Sequence, residues 1–71
     1  MNLADTIVKL RGRRGYTQEQ LANRSLGVAL WLIKGIESCS ATPTVSELGD
    51  IANALDATLV IRLVPNEAEP D

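Results

Sequence analysis

Between Gly15 and Leu21 the chain states where one helix stops and where the next begins, and that punctuation constrains its fold more than any other stretch. Thr17-Gln18-Glu19-Gln20 has the form of a capping box. The threonine hydroxyl can accept the amide three residues on, while the glutamine side chain reaches back to the threonine amide. Tyr16 and Leu21 flank the box where a hydrophobic staple forms. Gly15 can take the left-handed conformation that terminates a helix. One helix is therefore expected to close at Arg14 and a second to run from Thr17 to about Arg24, with Gly27 in the turn that follows. A chain with two short helices this tightly joined must bury them against further helices.

The rest of the sequence supplies those partners. Leu3, Ile7 and Leu10 recur at helical spacing, with Asn2 as a cap and Arg11, Arg13 and Arg14 in the last turn, where positive charge suits the helix dipole. A third helix is expected from Ala29 to Ser38, lacking a capping side chain at its start, before a loop over 39–43. Thr44-Val45-Ser46-Glu47 is a second capping box, opening a helix with Val45, Leu48, Ile51, Ala52 and Leu55 on its apolar face and Asp56 at its end. Thr58 to Val64 is rich in β-branched residues and alternates as a strand does. A lone strand leaves its backbone donors and acceptors without partners. Pairing with a second copy across a two-fold axis solves that, with Leu59, Val60, Ile61, Leu63 and Val64 in the dimer interface. The alternative is an extended tail packed on the helices. The expected organisation is a mainly α domain of four to five helices over residues 1–56, a dimerisation strand over 57–65, and a flexible acidic tail over 66–71.

Composition narrows the function. At 71 residues the core is small, and with one Trp, one Tyr and no Phe it must be built from aliphatic side chains. The net charge of −2 conceals a split: residues 1–35 hold six cations against two anions, and residues 36–71 one cation against seven. One basic face and an acidic opposite end follow from that division, unless it is ordinary surface charge. No histidine is present, Cys39 has no evident base, and no phosphate loop or metal-ligand spacing occurs, so an enzyme, a cofactor and a metal are not expected. A single cysteine and the absence of a leader or membrane-spanning run point to a cytoplasmic protein.

The run Leu10-Arg11…Arg14-Gly15-Tyr16-Thr17-Gln18-Glu19-Gln20-Leu21-Ala22 resembles the opening of the XRE (Cro/CI-type) helix-turn-helix family. The likeness continues through Gly27-Val28, Ile33, Ile36-Glu37, Pro43-Thr44, Leu48 and Ile51-Ala52, and covers about residues 3–56. It implies a lambda-repressor-like domain that binds duplex DNA. The strand after it resembles that of the HipB- and HigA-like antitoxin branch, which implies a homodimer and a toxin as protein partner. The resemblance implies that Gln18 contacts a phosphate and that Arg11 and Glu37 form a structural salt bridge. It also implies that positions 29, 30, 31 and 35 present groups to bases.

At those positions this chain departs from the pattern, with Ala29, Leu30, Trp31 and Gly35. Cys39 stands where a glycine is usual, and Ser25-Leu26 lengthen the turn by one residue. Base edges are read by hydrogen-bonding side chains, each good bidentate contact giving about 1–3 kcal/mol of discrimination. Three readings remain open. In the first, Gln18, Arg11, Arg13, Arg14, Arg24 and Lys34 grip phosphates, while Leu30 and Trp31 touch thymine methyls or DNA shape supplies selectivity. In the second, Leu30-Trp31-Leu32 is an exposed protein-docking patch on a domain that no longer reads an operator. In the third, the longer turn rotates the helix so that Leu30 and Trp31 join the core.

Overall fold

A computed structural model of the chain describes residues 2–61. Among them are four helices: α1 (Leu3–Arg14), α2 (Gln18–Arg24), α3 (Leu30–Glu37) and α4 (Val45–Ala54). Their starts follow the local chemistry. Asn2 accepts the Asp5 amide at 2.9 Å, and both capping boxes close in both directions, at Thr17 with Gln20 and at Thr44 with Glu47. α3 has no side-chain cap, and the amides of Leu32 and Ile33 both turn to the Ala29 carbonyl instead.

Three of the helices end alike. A residue with left-handed φ, 72° at Gly15, 62° at Cys39 and 57° at Asp56, turns the chain back on the last helical turn. The Gly15 and Tyr16 amides then reach Gly12 and Arg11 carbonyls, and those of Cys39 and Ser40 reach Ile36 and Gly35. Those of Asp56 and Ala57 reach Asn53 and Ala52. This double closure satisfies carbonyls that a helix end otherwise leaves bare. Glycine takes that φ freely because it has no Cβ to crowd the following carbonyl oxygen. Cys39→Gly is therefore expected to raise stability by about 0.5–1 kcal/mol, read as a higher melting temperature. An unchanged or lower melting point would mean that residue 39 carries no such cost.

The core sits where the four helices converge. Leu21, Ile33 and Ile51, one each from α2, α3 and α4, are fully enclosed, and Ile7 of α1 closes the cluster with Val28, Leu32, Ile36 and Leu55. Each such side chain contributes roughly 1.5–3 kcal/mol through removal from water. Tyr16, the staple residue, packs partly buried against this cluster, as its place before the capping box implies.

Two expected core positions lie elsewhere. Val45 is exposed because it is the first residue of α4, ahead of the turns that meet the core through Ile51 and Leu55. On α1, Leu3 is largely exposed while Ala4 is buried, because the small side chain allows close approach there.

No strand occurs among the described residues. Residues 57–61 run without a ladder partner, and Leu59, Val60 and Ile61 are exposed. Leu63, Val64 and the 66–71 tail lie outside the described residues.

Candidate nucleic-acid interface

The carboxylate of Glu37 organises the region. It receives Arg11 Nε at 2.8 Å and Nη2 at 2.9 Å, and Gln18 Nε2 at 2.9 Å. Arg11 uses its remaining Nη1 on the Tyr16 carbonyl at 2.9 Å. One nearly enclosed carboxylate thus ties together the end of α1, the start of α2 and the end of α3. Burial alone pushes the Glu37 carboxyl up. The hydrogen bonds from Arg11 and Gln18, with the arginine charge, outweigh burial and hold it below the usual glutamate range.

This network gives several of the expected phosphate-contact residues partners inside the domain. Arg11 is a brace, with three hydrogen bonds made inside the domain. Arg14 stays 44% exposed while donating Nε to the Leu55 carbonyl and Nη2 to Asp56, so it joins the end of α1 to the end of α4 at the surface. Gln18 gives one amide proton to Glu37 and keeps a second donor and its carbonyl oxygen. Arg24 lies over the Tyr16 ring at 4.8 Å, a cation–π contact that holds the guanidinium on α2. Arg13 and Lys34 are exposed and make no ion pair among the described residues.

α3 divides sharply by side. Leu32, Ile33 and Ile36 face the core, Leu30 is half-buried against it, and Ala29, Trp31 and Lys34 are exposed. The expected Leu30-Trp31-Leu32 surface is therefore corrected: Leu32 is only 4% exposed, since it lies one helical turn before Ile36 on the inward face. The rotated-core alternative fails for Trp31, which is 70% exposed. Gly35 is corrected as well, because a Cβ there would point at Ala41 rather than outward, at 2.7 Å from its Cβ. The Gly35 carbonyl accepts from the Ser40 and Ala41 amides and from the Ser38 and Ser40 hydroxyls, which folds the 38–41 segment onto α3.

The turn over residues 25–29 is built around Ser25, buried to 2% with its hydroxyl on the Leu21 carbonyl at 2.7 Å. Gly27 turns with φ 77°, and Leu26 beside it is 78% exposed. Sequence reasoning missed Leu26 as a surface group. Its only signal was its place in a turn, between a buried serine and a left-handed glycine. A shallow groove of about 280 Å³ is lined by Thr17, Gln18, Glu19, Leu30 and Lys34.

Two short helices meet across a tight turn, with the second presenting an outward face beside the start of the first. A model of the helix-turn-helix family matches residues 7–61. The chain belongs to the XRE-type helix-turn-helix family. In this helix-turn-helix domain α2 and α3 are the motif and α3 its second helix. The family is one of DNA-binding domains. No curated protein and no solved structure matches the chain. Among the described residues, no cluster of His, Cys, Asp or Glu could hold a metal ion, and no helix is long and apolar enough to cross a membrane.

Proposed function

We propose that the protein is a DNA-binding transcriptional regulator of repressor or antitoxin type that acts as a dimer. The observation that carries this reading is the shared groove of Gln18 and Lys34, which puts an amide donor from α2 and an ammonium from α3 on one surface, with the Glu19 carboxylate at the same groove as the one opposing charge. Arg13 and Arg24 add positive charge from α1 and α2. Most of the acidic residues belong to the second half of the chain, so the acidic total does not oppose a local attraction for phosphate.

The dimer is proposed through residues 57–65, each copy's strand pairing with the other's. The exposed Leu59, Val60 and Ile61 support it, because apolar side chains beside unpaired backbone favour a second strand. The antitoxin assignment rests on that appended segment alone.

Fluorescence anisotropy against a random duplex pool, titrated with salt, tests the function. The expected result is binding whose log affinity falls with log salt by roughly 0.9 per phosphate engaged, and a slope smaller by about one in Lys34→Ala. Absence of binding at low salt would reject the DNA reading. Sedimentation of the protein without DNA should give twice the chain mass, and a monomer at high concentration would reject the ribbon.

A second reading has an observation of its own. Leu26 and Trp31 are both large and exposed, and a protein partner covering them would make the domain a docking module. In an antitoxin the two activities coexist.

A further inference from the structure

Resting on the DNA-binding reading, we propose that Trp31 selects thymine, its indole meeting the 5-methyl group and the adjacent O4 in the major groove. The second helix of such a motif contacts base edges with its N-terminal residues, and Trp31 is the second residue of α3. Little else on this helix can read a base. Leu32, Ile33 and Ile36 are buried, and Gly35 has no side chain and its Cα faces Ala41. Glu37 is held by Arg11 and Gln18, and the Ser38 hydroxyl is occupied by the Gly35 carbonyl and Ser40. Leu30 packs half-buried against the core, and the exposed Ala29 offers a single methyl and no polar atom, far less surface than the indole. Lys34 is a flexible point charge suited to phosphate or to the acceptors of guanine.

The indole is therefore the principal discriminating surface, and its chemistry is narrow. It offers a broad apolar edge and one N–H donor, with no acceptor. Cytosine presents only an amino donor in the major groove, and adenine an amino donor beside its N7 acceptor, so each leaves a donor the indole cannot satisfy and offers no methyl group. Guanine presents two acceptors and nothing apolar. Thymine alone places an acceptor beside a methyl group, matching both parts of the ring. Exposure of 70% on so large an apolar side chain also means that contact with a methyl removes surface still in water.

Replacing thymine by deoxyuridine removes the methyl and leaves every hydrogen-bonding group in place. Duplexes that the protein retains from the random pool are to be amplified once with thymidine and once with deoxyuridine triphosphate, and the affinities compared. The expected result is weaker binding of the uracil form, about fourfold for each thymine read. Trp31→Ala should bind both forms equally, with its salt slope and its thermal melt close to those of the parent. Equal affinity of the unmodified protein for both forms would overturn the thymine reading while leaving DNA binding intact. Persistence of the difference in Trp31→Ala would overturn the role of Trp31. Retention of no duplex at all would overturn the thymine reading and the proposed function together.

Discussion

Replacing Arg11 with alanine is expected to cost about 2–3 kcal/mol, a fall in melting temperature of roughly 10–20 °C for a domain of this size. Three of the guanidinium's hydrogen bonds disappear at once, two from Glu37 and one from the Tyr16 carbonyl. What remains is a carboxylate whose side chain is only 7% exposed, supported by Gln18 alone. Breaking a fully buried pair costs about 3–5 kcal/mol, and the 20% exposure of Arg11 places this one lower. Arg13→Ala, two residues away and exposed, should stay within about 0.5 kcal/mol of the parent. Equal melting points for the two variants would remove the brace from the account.

The same pair sets an acid limit. The folded carboxyl of Glu37 titrates below its unfolded value, so its stabilisation is complete above the ordinary glutamate range. It is lost as pH falls through the depressed folded value. Melts taken from neutral to acidic pH should show the parent losing more stability on acidification than Arg11→Ala, which has lost the main cause of the depression.

The second large effect is expected at Gly35. Any side chain there begins 2.7 Å from the Ala41 Cβ, and valine adds two further methyls into the segment anchored on the Gly35 carbonyl. Overpacking of this kind costs about 1–3 kcal/mol, and β-branching in a helix adds to it, so Gly35→Val should lose about 2–3 kcal/mol. Gly12 is the internal control. It also lies within a helix, but a Cβ there meets nothing within 4 Å, so Gly12→Ala should gain about 0.5–1 kcal/mol. Chemical denaturation of both variants reads the opposite signs, and a stabilised Gly35→Val would refute the close approach.

The boundaries of the helices were legible because each is written within a few residues. Thr17 with Gln20, Thr44 with Glu47, and Gly15 need no knowledge of the rest of the chain. The Arg11–Glu37 brace came from family resemblance, since nothing local relates residues on different helices. The surface of α3 was the least legible part. Leu30, Trp31 and Leu32 have similar hydropathy, and only the direction of each side chain makes one half-buried, one exposed and one enclosed. Gly35 was misplaced for the same reason: where the 38–41 segment folds back is a tertiary fact. The bonds of Arg11 and Arg14 to other parts of the domain were equally invisible as geometry, because a basic cluster looks the same in sequence whether it meets phosphate or backbone carbonyls.

The separation between local and distant ties has a consequence for the order in which the fold assembles. Capping boxes and left-handed closures join residues at most five apart, so they can form as soon as each turn forms. The Arg11–Glu37 bond spans 26 positions and the Arg14–Asp56 bond 42, so these clasps close after the helices they join have met. A contact made that late adds little to the barrier for folding and much to the barrier for coming apart. Arg11 therefore acts as a latch, and its removal should leave the folding rate nearly unchanged while shortening the lifetime of the folded state.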